Sequence, residues 1–249
     1  MTNQAVKSAE RVLDLIEAFA VAKRALSISE LADRLDVPVS SCHGLVHTLL
    51  QRGYLYGLGS RKAVYPTRRL FDAADVIAAH DPLVDRLRGE MERLRDETRE
   101  TVILGKRQGD AVVYLELLEG PQTIRYTAAV GELKPLHSSA IGKVMLATLD
   151  DADLRDHLSQ IELARVTENT KVDVAELFDD ITRGRAAGVQ VTRGENVADV
   201  MALAVPVELG GDAIGVAIAG PIHRMSGNEA EVVHYLRAFQ ERLISRNAA

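Results

Sequence analysis

The residues best placed to do chemistry lie between Ser40 and Arg52, where Ser40, Ser41, His43, Gly44, His47, Thr48 and Arg52 interrupt an apolar pattern. Two imidazoles one helical turn apart, His43 and His47, can chelate a metal. No glutamate stands between them and no third ligand is near, so no metal is expected. The other chemistry open to this set is hydrogen bonding. Hydroxyls and imidazoles donate and accept, Gly44 keeps the surface slim, and Arg52 adds a cation. A merely solvated face would carry Glu and Lys, whereas base edges in a DNA major groove call for slimness, donors and acceptors. A second set, His137-Ser138-Ser139, has the residue types of a base and a nucleophile. Adjacent residues seldom hold that geometry and no nucleophile-elbow pattern surrounds them, so no catalytic residue and no cofactor are expected. The simpler reading is a helix start with free N–H groups at Ala140 and Ile141, which beside a cavity becomes a seat for a carboxylate. Glu195 and Asp199 read as loop caps before a cation site, and Cys42 as core before a redox sensor.

The elements that must carry these residues follow from spacing. Ser27 and Glu30 form a capping-box pattern that opens a short helix with Ile28, Leu31, Ala32 and Leu35 on one face. Asp36-Val37-Pro38 ends it, and a second helix starts near Val39 or Ser40. There Cys42, Leu45, Val46, Leu49 and Leu50 make the buried stripe, opposite the hydrogen-bonding face. Two short helices about a tight turn read as helix-turn-helix. A helix over 8–20 packs on them, and strands about Gly57-Leu58-Gly59-Ser60-Arg61-Lys62 form a wing tipped with Arg61 and Lys62. A connector helix over 67–80 is predicted, with Leu70, Phe71, Ala74, Ile77 and Ala78 inward. The remainder, 81–249, reads as an α+β domain with a largely antiparallel sheet. Its strands are predicted at Thr101–Leu104, Val112–Leu118, Ile124–Ala129, Val189–Thr192, Ala202–Glu208 and Ala213–Ala219. Its helices are predicted from Asp81-Pro82, from Ser138-Ser139 to about Leu149, over 151–159 and 173–187, and at the end through Val232, Leu236, Phe239 and Leu243. The last two strands alternate large residues with Gly or Ala, so each offers one face of small side chains. That face suits either a closely packed helix or a ligand cavity.

Composition narrows the function classes. Of 249 residues 47% are hydrophobic, and no apolar run of about 18 occurs, so neither a membrane span nor a membrane partner is expected. One cysteine suits a reducing cytoplasm. Residues 1–70 hold ten Lys/Arg and six Asp/Glu, and residues 71–249 hold twenty and thirty, giving +4 and −10. A weakly basic head on an acidic body fits a DNA-binding head, and oligomerisation would add to its affinity.

Taken together, these residues resemble the isocitrate lyase regulator (IclR) family of bacterial transcription factors. The likeness is carried by Ala9 to Ile16, Ser29-Glu30-Leu31-Ala32, Leu49 to Leu55, Val130-Gly131, Pro135-Leu136-His137-Ser138 through Gly142-Lys143, and Ala219-Gly220-Pro221. It implies a winged helix-turn-helix over 1–66, a linker helix over 67–80, and an effector-binding and oligomerisation domain over 81–249 with a curved, GAF-like antiparallel sheet. It also implies dimers, often paired into tetramers, on double-stranded operator DNA. Two departures stand out. Val39 and Gly44 occupy positions where the family usually has basic residues, so phosphate anchoring passes to Arg52, Arg61 and Lys62. Ala217 and Ala219 replace hydroxyls found in the member that binds small keto acids. The implied ligand wall is Tyr126, Lys134, Ala140, Ile141, Thr192, Val200, Ala202, Ala217 and Ala219. The expected effector is a monocarboxylate with an aromatic or apolar body, such as a hydroxybenzoate. A small keto or hydroxy acid is the alternative, and a metabolic enzyme with a helical head is the reading from another class.

Overall fold

Ser27 and Glu30 close both legs of a capping box: the Glu30 N–H donates to the Ser27 hydroxyl at 3.2 Å, and the Ser27 N–H donates to the Glu30 carboxylate at 2.8 Å. In the computed structural model, which describes residues 6–59, 63–209 and 211–247, the chain divides into two compact units, Met1–Asp81 and Pro82–Ala249.

The first unit runs α1 (Lys7–Ala22), β1 (Leu26–Ser27), α2 (Ile28–Arg34), α3 (Val39–Gln51), β2 (Leu55–Leu58), β3 (Ala63–Pro66) and α4 (Arg69–Ala78). Asp36 takes a left-handed φ of 50° in the α2–α3 turn, a conformation Asp tolerates better than most residues. Leu15, Phe19, Leu31, Cys42, Val46, Leu55 and Val64 form the core of this unit. The sheet order is β1-β3-β2, all antiparallel. The two-residue strand β1 was not expected, since two residues carry no periodicity. Two expectations are corrected. Leu50 lies at the edge of the α3 stripe and is 37% exposed. On α4, Leu70 is half-buried, but Phe71, Ala74, Ile77 and Ala78 are exposed, because no element of this unit lies over them. Amphipathic spacing says that a face wants cover, not that its own domain supplies it.

The second unit holds α5 (Pro82–Thr98), β4 (Thr101–Gln108), β5 (Ala111–Leu118), β6 (Leu133–Pro135), α6 (Ala140–Leu146), α7 (Asp151–Gln160), α8 (Val174–Ala187), β7 (Gln190–Arg193), β8 (Val200–Leu209), β9 (Asp212–Pro221), α9 (Ile222–Met225) and α10 (Glu229–Asn247). The sheet is antiparallel throughout, in the order β6-β5-β4-β9-β8-β7. Alternation along the strands splits the core in two. Val102, Leu104, Leu203, Val205, Ile214, Val216 and Ile218 pack with Leu87, Met91 and Leu94 of α5 and Leu236 and Phe239 of α10. Ile103, Ala204, Ala217 and Ala219 face the other way, into a core shared with α6, α7 and α8.

The predicted strand Ile124–Ala129 is not a strand. Its alternating Ile124, Tyr126 and Ala128 mimic one, but its polar groups are satisfied locally. Arg125 donates to Glu119 and to the Gln122 carbonyl, the Tyr126 carbonyl accepts from Thr101, and the Ala129 N–H donates to Glu132. The edge strand is instead β6, pairing Leu133–Pro135 with Ala111–Val113. Helix α6 stops at Leu146 rather than near Leu149.

Candidate functional site

Two surfaces carry the candidate chemistry, one in each unit. On α3, Ser40, Ser41, His43, Gly44, His47 and Thr48 are all exposed, as is Arg52 at the C-cap. The rings of His43 and His47 lie 6.4 Å apart and 20° from parallel, so both imidazole edges point off the same face. Thr48 donates its hydroxyl to the Gly44 carbonyl at 2.9 Å, which leaves its methyl and lone pairs outward. A Cβ added at Gly44 would meet nothing in the molecule, so no internal packing demands glycine there. Among the described residues no three His, Cys, Asp or Glu side chains gather as a metal site. The wing cations Arg61 and Lys62 lie outside the described residues.

The second surface is a cavity of about 30 Å³ between α6 and the small-residue face of the sheet. The register explains how one face serves two purposes. Gly105 stands opposite Gly215 on β4 and β9. Ile141 fills the notch they leave: a Cβ on Gly215 would come 2.6 Å from its Cγ2. Further along, Ala204 pairs with Ala217 and Ala202 with Ala219. There the space is open, and it is lined by Ala202, Ala217 and Ala219. Gly142 lets the helix start come close, because a Cβ there would fall 2.2 Å from the Leu136 carbonyl oxygen. The helix–cavity choice left open by the alternating pattern thus resolves into both.

Of the nine wall residues expected, eight line this cavity: Tyr126, Ala140, Ile141, Thr192, Val200, Ala202, Ala217 and Ala219. Lys134 does not. Its ammonium pairs with Glu132 at 2.6 Å and sits 5.9 Å from the Tyr114 ring centre. Glu132, two residues back and hence on the same side of an extended chain, captures it first. The cavity also takes in Ile103, Tyr114, Ser139, Asn196 and Val197, which the sequence reading missed. The alternation of β5, with Val112 and Tyr114 both buried, could have found Tyr114. Nothing periodic marks Asn196 or Val197, which sit in the loop between β7 and β8.

The polar groups around the cavity are specific. Tyr114 and Tyr126 hydrogen-bond through their side chains, and burial first, then Tyr126, pushes the Tyr114 phenol far above its ordinary range. It stays neutral at any working pH. The Asn196 amide donates to the Ser138 hydroxyl at 3.1 Å. Ser139 caps α6, accepting from the Gly142 N–H at 3.2 Å and donating to the Pro135 carbonyl at 2.7 Å. His137 Nε2 is bound to the Ala164 carbonyl at 2.9 Å, and the Ser138 and Ser139 hydroxyls are bonded to Asn196 and the Pro135 carbonyl rather than to its ring. Beneath the wall lie four charges. Lys143, fully buried, donates to Asp180 and Glu195, each at 2.6 Å, and Lys171 reaches Glu195 at 2.9 Å. Burial alone would raise the Asp180 carboxyl, but Lys143 and Lys171 outweigh it and hold it below its usual range. Glu195 is therefore spoken for by ammonium groups rather than by a cation shared with Asp199. Cys42 is buried in the head, and burial pushes its thiol up, away from reactivity.

Comparison with known proteins bears on both units. Residues 8–59 match the IclR helix-turn-helix domain, and residues 76–245 match the family described as bacterial transcriptional regulator IclR C-terminal. The HTH-type transcriptional regulator BhcR of Paracoccus denitrificans is 33% identical over 89% of this chain and 80% of its own length. The Thermotoga maritima IclR structure superposes with a TM-score of 0.78 at 24% identity, covering 96% of this chain and 98% of that one. An IclR homolog from Microbacterium hydrocarbonoxydans, solved in complex with 4-hydroxybenzoate, superposes with a TM-score of 0.68 at 24% identity, covering 93% and 99%.

Proposed function

The chain belongs to the IclR family of bacterial transcriptional regulators, and from that premise we propose that its operator binding is controlled by a small organic acid held in the cavity beside α6. It is a DNA-binding transcriptional regulator, and in this reading it turns over no substrate. Residues 1–66 form the DNA-binding head, 67–80 the connector, and 81–249 the effector and oligomerisation domain. Ser40, Ser41, His43, Gly44, His47 and Thr48 read base edges, while Arg52, with Arg61 and Lys62, anchors phosphates. The protein acts in the cytoplasm as a homodimer or a dimer of dimers on double-stranded operator DNA.

The observation that carries the effector reading is the cavity itself: about 30 Å³, partly open, with Ala202, Ala217 and Ala219 on its floor and the polar residues Thr192, Asn196, Tyr114 and Tyr126 in its lining. A water needs roughly 10–15 Å³ of such space, so the cavity suits a body of very few heavy atoms. That favours a compact keto or hydroxy acid over the aromatic body first expected from the apolar wall. With Lys134 engaged elsewhere, the carboxylate must be met by N–H and O–H donors, among them Asn196, Thr192 and the Ala140 and Ile141 amides. Such donors are needed, because an unpaired buried charge is prohibitively costly. The aromatic reading keeps one specific support: the Microbacterium hydrocarbonoxydans homolog was solved with 4-hydroxybenzoate, and two tyrosine rings line this cavity. It requires the cavity to widen beyond its present free space. Calorimetry with pyruvate, glyoxylate and 4-hydroxybenzoate decides between them. The compact acids are expected to bind and the aromatic acid to bind weakly or not at all. Binding by none of the three would remove the effector reading in this form.

A further inference from the structure

None of the four buried or half-buried charges behind the cavity lines it, yet they join its two walls. Lys143 lies on α6, three residues from Ala140 and two from Ile141. Glu195, 2% exposed, immediately precedes Asn196 and Val197 in the β7–β8 loop. The loop is tied down at the same place by hydroxyls: Thr170 donates to the Glu195 carbonyl at 2.7 Å and Thr167 to the Gly194 carbonyl at 2.6 Å. Within it the Gly194 N–H donates to the Val200 carbonyl at 2.8 Å and the Val200 N–H to the Val197 carbonyl at 3.0 Å.

We propose that Glu195 is a positioning residue for the effector cavity, its carboxylate locked between Lys143 and Lys171 so that Asn196 and Val197 are held against the start of α6. The formal charges of Lys143, Lys171, Asp180 and Glu195 cancel. The cluster therefore lends the site little net field, and its value lies in geometry. A buried ion pair is poor evidence for stability, since desolvation offsets most of its attraction, but it tolerates few alternative arrangements of the groups it joins. Placed between a helix and an irregular loop, it fixes a wall segment that has no strand pairing of its own. This rests on the cavity being the effector site, and the test below keeps the two ideas apart.

The test is Glu195→Gln in the full chain, read two ways. Native-state hydrogen exchange at Gly194 and Val200 is expected to speed up about tenfold or more while β9 and α10 amides keep their rates. Affinity for pyruvate, measured by calorimetry, is expected to fall by a similar factor. A field effect alone predicts the opposite sign, because removing a negative charge beside the cavity strengthens anion binding. Asp180→Asn removes a partner on α8 that both lysines share but leaves both ammonium groups on Glu195, and should speed Gly194 and Val200 exchange less than Glu195→Gln does. Lys171→Met, at the rim of the cluster, carries the same test in milder form if the glutamine variant does not fold. Unchanged loop exchange, equal loosening of the whole unit, or tighter pyruvate binding would each overturn the proposal. If wild-type protein binds no pyruvate, the effector reading fails for that acid, while the exchange measurements still decide whether Glu195 holds the loop.

Discussion

The carboxylate of Glu30 shows how much a single residue can commit. Its hydrogen bond with the Ser27 backbone, with Arg24 adding to it, lowers it from 4.5 to about 2. A carboxylate depressed on folding contributes stability that is present above 4.5 and lost as pH falls through about 2. Urea denaturation of wild type and Glu30→Gln should therefore differ at neutral pH and converge as the pH drops through that window. A gap that stayed constant with pH would mean that the ionised group is not what matters. This residue was legible: the Ser-x-x-Glu spacing before an apolar run has one common meaning. Lys134 was not. The sequence marks it as a cation near the wall but cannot say that Glu132 takes it first. Gly142 was equally silent, since a glycine inside a helical pattern does not announce the 2.2 Å approach that requires it.

At the scale of elements, the proposed division of labour on α3 by residue type is measurable. His47→Ala should cost about 1–3 kcal/mol at particular base pairs, whereas Arg52→Ala should weaken all sequences alike and flatten the salt dependence by about one unit. Gel shifts across operator variants and salt concentrations read both. Base preference that moved with Arg52 would reverse the assignment. The α6–sheet contact gives a second test. Ala217→Leu should fill the cavity and abolish the response to effector while leaving operator affinity intact, as seen by paired calorimetry and gel shift. An Ala217→Leu protein that kept full effector affinity would put the ligand elsewhere. The alternation in β8 and β9 revealed the small-residue face because strands repeat every two residues. It could not reveal which part of that face a helix fills, which depends on Gly105 and Gly215 meeting across β4 and β9. Irregular segments leave no such trace: Ile124–Ala129 imitated a strand, and Asn196 had no pattern to belong to. The outward face of α4 failed for a related reason: its spacing is sound, but no element of its own unit covers it.

For the whole molecule, the order of modules was readable because a charge step of +4 to −10 and a change of periodicity both fall near the same place in the chain. A head with few cations gains from being paired with another. Footprinting should show two related half-sites about one helical turn apart or a multiple of it. A single asymmetric half-site would speak against symmetric binding. Each unit has a core of its own, one around Leu15, Val46 and Leu55 and the other on the two faces of the large sheet. Separate cores let a scanning calorimeter record two endotherms in place of one. Operator DNA then raises the melting of the head and effector that of the body, each by mass action. Any displacement one ligand causes in the other's endotherm is the regulatory signal itself, expressed in degrees: a coupling free energy that must be the same whichever ligand is added first.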